Sequence, residues 1–109
     1  MEAYADRLAA LGNPVRLRIL KLLVEASPGG LVVQEIQEEL QIPSSTLSHH
    51  LDKMKNEQLL SATREGTYLR YRVNWETLQG LLGFLTAQCC TRNLPSRAST
   101  CSESERAGL

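Results

Sequence analysis

The sequence predicts a mainly α-helical domain with one small β-hairpin (α+β), and two observations predict it. Apolar residues recur every three or four positions through five segments between residues 2 and 90, and the period drops to two only over 68–73. Two of the helical segments, 33–40 and 44–57, are separated by just Gln41-Ile42-Pro43, and the hairpin follows the second directly. A helix-turn-helix followed by a hairpin is the order of a winged helix-turn-helix. The 109 residues, 42% hydrophobic, suffice for one domain with a small core. A core of this size gains from burial against a partner chain.

Taken in order, residues 2–11 read as a helix with Tyr4, Leu8 and Leu11 on one stripe, ended by Gly12. Asn13-Pro14 opens a second helix over 14–26: an N-cap residue, then proline at the first helical position. Leu17, Ile19, Leu20, Leu22, Leu23 and Val24 give it a wide apolar face, which places it near the centre. Ser27-Pro28-Gly29-Gly30 breaks the chain. Val33, Ile36 and Leu40 mark the short third helix, with Gln34, Glu35, Gln37 and Glu38 outward. The fourth, over 44–57, turns Leu47, Leu51 and Met54 inward; Ser44 and Ser45 are its candidate caps.

Beyond it, 59–63 and 68–73 read as paired strands around an Arg64-Glu65-Gly66-Thr67 loop. A last helix over 75–90 carries Leu78, Leu81, Leu82 and Leu85 with Phe84 beside them. Gly80 and Gly83 weaken that helix in isolation but allow another helix to approach closely. The expectation is a domain over 1–91 and a polar tail over 92–109, with a homodimer formed through the first and last helices.

Net charge is zero, but its distribution is uneven. Residues 1–43 carry four basic and six acidic side chains, whereas 44–73 carry five basic (Lys53, Lys55, Arg64, Arg70, Arg72) and three acidic. No apolar run approaches the roughly 18–20 residues of a membrane span. The opening MEAYADR lacks the basic and apolar regions of a secretory signal, so the expected compartment is the cytoplasm.

The basic middle coincides with the helix-turn-helix. If 44–57 enters a major groove, its outward residues should be small or polar, and Ser44, Ser45, Thr46, Ser48 and His49 are. Lys53 and Lys55 suit the phosphate backbone; Arg64, Arg70 and Arg72 on the wing suit phosphate or the minor groove. Any one of these charges alone reads as a solvated surface charge; together on one motif they point to double-stranded DNA. His49 and His50 do not form an easy chelate, because adjacent helical positions point about 100° apart. His50 is expected to pack or bond within the domain while His49 faces out.

Three stretches, LAALGNPVRLRILKLL (8–23), PSSTLSHHLDKMKNEQLL (43–60) and REGTYLRYRV (64–73), resemble the arsenic-repressor (ArsR/SmtB) family of metal-sensing winged-helix repressors. The resemblance covers residues 5–90 and is most specific at Ser48-His49-His50-Leu51 followed by the wing. It implies a dimer that binds operator DNA without ligand and releases it on binding a thiophilic or divalent ion. Two of the family's sensor patterns are missing: Val32 and Gln34 stand where arsenic sensors carry Cys-x-Cys, and the last helix has Glu76 but no histidine for a zinc site. The remaining soft-ligand cluster, Cys89, Cys90 and Cys101, resembles variant arsenic sensors with a Cys-Cys pair at the end of the last helix and a third cysteine in the tail.

Thiolates prefer soft ions, and trivalent arsenic takes three sulfurs in a pyramid, so three cysteines suit arsenite, antimonite or a methylated arsenite better than tetrahedral zinc. Arg92 and Arg97 would favour the thiolate forms. A redox switch, or a sensor of another thiophilic ion, is the alternative. No organic cofactor is implied. An enzyme is not expected: there is no Cys-x-x-Cys beside a βαβ unit and no cysteine in an anion-cradling loop. A winged helix serving only protein contacts would lack the outward hydroxyls and wing arginines.

Overall fold

The computed structural model describes residues 1–88 and Arg92. The elements run α1 (Glu2–Leu11), α2 (Pro14–Glu25), β1 (Leu31–Val32), α3 (Val33–Leu40), α4 (Ser44–Asn56), β2 (Leu60–Glu65), β3 (Tyr68–Val73) and α5 (Trp75–Thr86). The winged helix-turn-helix is present, α3 and α4 being the paired helices and β2–β3 the wing.

Local side-chain hydrogen bonds start α2 and α3. The Asn13 side-chain oxygen accepts from the backbone N–H groups of Val15 at 2.9 Å and Arg16 at 3.2 Å, so two orphan donors of α2 are satisfied. Ile19, Leu20 and Leu23 then face the core from α2. On α3 the Glu35 carboxylate accepts from the Val32 N–H at 2.9 Å, and Ile36 is fully buried. Gln41 closes α3 in the left-handed region at φ 54°, an uncommon place for a residue with a Cβ. Two side-chain hydrogen bonds hold the turn there: Gln41 Nε2 donates to the Glu38 carbonyl at 2.6 Å, and Gln37 Nε2 to that of Ile42 at 3.3 Å.

On α4 the buried residues are Leu47, His50, Leu51 and Met54, a single stripe at i, i+3, i+4, i+7. Leu47, Leu51 and Met54 pack with Ile19, Leu23 and Ile36 from the other helices and with Leu59, Leu60, Tyr71 and Val73 at the base of the wing. Burying each large apolar side chain contributes about 1.5–3 kcal/mol. Helix α4 is therefore fixed by the same core that fixes the wing.

The sheet is antiparallel in the order β1-β3-β2. Strand β1 was not legible in the sequence. It has only two residues, Leu31 opposite Tyr71 and Val32 opposite Arg70, too few to show a period, and it forms because β3 offers a free edge. Gly30, at φ +71°, makes this pairing possible: a Cβ there would collide with the carbonyl oxygen of Tyr71.

Three boundaries differ from expectation. Arg64 and Glu65 belong to β2, paired with Leu69 and Tyr68, so the hairpin turn is only Gly66-Thr67. Ser44 and Ser45 do not cap α4: its N-cap is Pro43, which has no side-chain acceptor. Helix α5 ends at Thr86, because Ala87 turns to an extended conformation (φ −56°, ψ 137°) and Gln88 to positive φ.

Helices α1 and α5 meet through Tyr4 and Phe84, whose rings stack with centroids 4.1 Å apart. Leu81 is buried, but Leu82 and Leu85 are each 54% exposed, and Leu8 on α1 is 40% exposed. Among the described residues no helix is long and apolar enough to cross a membrane.

Candidate nucleic-acid interface

The stripe that buries Leu47, His50, Leu51 and Met54 necessarily turns the rest of α4 outward. Ser44, Ser45, Thr46, Ser48, His49, Lys53 and Lys55 are all exposed, which puts every α4 residue singled out in the sequence on one solvent face. Asp52, one of the three acidic residues counted within 44–73, is also exposed there. Lys53 is partly engaged, 3.6 Å from the Glu57 carboxylate one turn on. Because Pro43 brings no capping side chain, the first-turn N–H groups of α4 remain available, and with the helix dipole they favour a phosphate.

His50 behaves differently from His49. It is 8% exposed, and its Nδ1 accepts a hydrogen bond from Arg16 Nε at 3.1 Å. Burial, then the Arg16 charge, then His49 push its pKa below the ordinary 6.5, so it is neutral near pH 7. The two rings touch edge to face at a centroid distance of 5.8 Å, and one is tied into the core. This is the division the helical geometry predicts, and it leaves His49 alone facing out.

On the wing the three arginines separate. Alternation along β2 and β3 puts Arg64 on the same sheet face as Ala62, Leu69 and Tyr71, the face toward the helices, at the exposed tip. No ion pair engages Arg64 among the described residues. Arg70 and Arg72 lie on the opposite face with Glu65 and Thr63. Arg70 Nε bonds both Glu65 oxygens at 3.0 Å, and its Nη1 donates to the Gly30 carbonyl at 3.3 Å. Arg72 donates to Thr63 Oγ1 at 3.2 Å and lies 3.8 Å from Glu65. Tyr68, 51% exposed at the tip, was not picked out by sequence reasoning, although its alternation with Arg70 and Arg72 was the available signal.

Cys89, Cys90 and Cys101 lie outside the described residues. Among the described residues no group of three His, Cys, Asp or Glu side chains could hold a metal. The positions of the missing Cys-x-Cys, Val32 and Gln34, fall at β1 and the first turn of α3.

A helix-turn-helix with a polar, uncapped second helix and a basic wing tip defines a winged helix-turn-helix DNA-binding protein. A helix-turn-helix domain family matches residues 11–61. An HTH-type transcriptional regulator of Methanocaldococcus jannaschii is 42% identical over 76 residues, covering 67% of this chain and 83% of that protein. The arsenical resistance operon repressor of Staphylococcus xylosus is 35% identical, covering 65% of each chain. Among solved structures, a homodimeric winged helix-turn-helix DNA-binding domain of Mycobacterium bovis superposes with a TM-score of 0.64 at 31% identity, covering 80% of this chain and 81% of that one. The chain belongs to the helix-turn-helix transcriptional regulators of the ArsR type. These are DNA-binding regulators, not enzymes.

Proposed function

We propose that the chain is a homodimeric, cytoplasmic repressor that holds double-stranded operator DNA with α4 and the wing tip and releases it when trivalent arsenic or antimony binds the thiolates of Cys89, Cys90 and Cys101. The observation that carries the DNA half is the partition of α4 into a wholly buried stripe and a face of hydroxyls, His49 and two lysines. Arg64 is the wing residue best placed to add a phosphate or minor-groove contact, being exposed and free of ion pairs among the described residues. Arg70 and Arg72 act mainly by shaping the wing.

Leu8, Leu82 and Leu85 support the dimer, since a single chain leaves them in water. A second copy packed there would present two α4 helices to half-sites about one helical turn, roughly 34 Å, apart. The three-thiol donor set and the similarity to an arsenical resistance operon repressor support the inducer.

Fluorescence anisotropy of a labelled duplex from upstream of the chain's own coding sequence tests this reading. Reduced protein should bind, and arsenite should release it at about one ion per chain, the count expected of a three-sulfur site. Replacing all three cysteines by serine should leave binding intact and abolish release. Release by peroxide alone would make the site a redox switch, and release by arsenite from the triple variant would place the sensor elsewhere.

A further inference from the structure

Arg16 sits where three helices meet. Its backbone N–H is held by the Asn13 cap of α2 at 3.2 Å. Its Nη1 reaches the carbonyl of Ala10, in the last turn of α1, at 3.5 Å. Its Nε donates to His50 Nδ1 on α4 at 3.1 Å. A guanidinium has donors only, so His50 must present a bare lone pair on Nδ1 and carry its one proton on Nε2. A second arginine ties α1 to α4: Arg7 Nε donates to the carbonyl of Glu57, the C-cap of α4, at 3.1 Å. The recognition helix is thus held from its middle and its C-terminal end, and the middle tie depends on an imidazole staying neutral.

We infer that the Arg16–His50 pair is a proton-sensitive catch on α4, such that a second proton on His50 releases the helix from its set position and weakens operator binding in acid. The inference rests on the operator-binding reading of α4. Protonation at Nδ1 removes the only acceptor for Arg16 Nε in this contact and places an imidazolium against a guanidinium. The groups facing the ring offer no relief. Arg16 from α2 is cationic, His49 is its neighbour on α4, and α1 reaches the cluster through the Ala10 carbonyl, already turned to Arg16. No carboxylate pairs with His50 among the described residues. The ring is held neutral by burial first and by Arg16 second, so the catch is closed at neutral pH and opens as pH falls below the ordinary histidine range. His49 is exposed on the outward face of α4, so it is replaced in the test to leave His50 as the one imidazole on that helix.

The test is anisotropy of the same upstream duplex at constant ionic strength in a His49→Asn background, between about pH 7.5 and about pH 5.5, on either side of the histidine range. Affinity should fall about tenfold, the size of a lost hydrogen bond to a charged group, with the far-ultraviolet dichroism unchanged. In His49→Asn/His50→Asn the profile should be flat, because the amide oxygen introduced at position 50 accepts from Arg16 and does not titrate. A flat profile in His49→Asn alone overturns the catch, and so does a fall that persists in the double variant. Long-range proton–nitrogen spectra of the unmodified chain without DNA need no variant to fold. His50 should appear neutral with its proton on Nε2, and the amides of residues 44–49 should shift as it titrates. A proton on Nδ1 at neutral pH, or stationary amides, overturns the inference. Failure of the unmodified chain to bind the duplex at about pH 7.5 would instead strike the operator-binding reading, and the imidazole spectra would still decide the catch.

Discussion

Tyr4 of α1 and Phe84 of α5 stack with ring centroids 4.1 Å apart and planes within 4° of parallel. The pair joins the first and last helices, and on these same helices the apolar side chains of Leu8, Leu82 and Leu85 stand open to solvent. Aromatic stacking of this kind adds about 0.5–1.5 kcal/mol beyond the burial of the rings.

Leu82→Glu places a charge among the exposed leucines of α5 without disturbing the core, since Leu82 is 54% exposed in a single chain. The expected product is a folded monomer by analytical ultracentrifugation, with operator affinity reduced at least tenfold because two half-sites are no longer engaged together. A variant that remains dimeric would move the interface away from α5.

The wing arginines should separate into a DNA residue and a structural residue. Arg64→Ala should lower operator affinity and reduce the salt dependence of binding by about one unit of slope, as expected for one lost phosphate contact. Its melting temperature should not change. Arg70→Ala should do the reverse at first: it loses both Glu65 oxygens and the Gly30 carbonyl, which ties the wing to the loop before β1. Since Glu65 is 42% exposed, water screens the ion pair and the loss should be modest, about 0.5–1 kcal/mol. Equal effects of the two substitutions on DNA binding, with no thermal difference, would contradict this division.

The sequence carried the elements whose signal is periodic or chemical. Leu47, Leu51 and Met54 fixed the orientation of α4, and Asn13-Pro14 fixed the start of α2, because each depends on near neighbours in the chain. What stayed hidden depended on distant partners. Strand β1 exists only by pairing with Tyr71 and Arg70 across the molecule. The extension of β2 through Glu65 depends on its pairing with Tyr68 and is reinforced by the bond from Arg70. The division between Arg64 and Arg70 follows from strand register, which alternation alone does not supply. That His50 turns inward was legible from the angle between adjacent helical residues, but that Arg16 would be its partner, 34 positions earlier, was not.

Neutral His50 also makes stability depend on pH, apart from any effect on DNA. Its folded pKa lies below the ordinary value of 6.5, so the unfolded chain binds the proton more readily. Stability from this site is therefore fully present above 6.5 and declines as pH falls from there through the folded value. Thermal melts taken in half-unit steps should show the midpoint dropping below about pH 6.5, and His50→Asn should remove that drop. A midpoint that rises as the solution is acidified through this window would mean that the ring gains, rather than loses, from its proton.

Gly80 and Gly83 allow the dimer to be tested from its inner side. A Cβ built on either meets nothing within 4 Å in the single chain. In an isolated helix, alanine is better than glycine by about 0.8–1 kcal/mol per position, so Gly80→Ala/Gly83→Ala should stabilise a monomer. If another helix packs closely against α5, the added methyl groups instead push the two backbones apart. The double substitution should therefore raise the melting temperature in the Leu82→Glu background and weaken dimerisation of the otherwise unmodified chain. Stabilisation in both backgrounds would show that the glycines face water even in the dimer, and that α5 meets its partner through Leu82 and Leu85 on a different side.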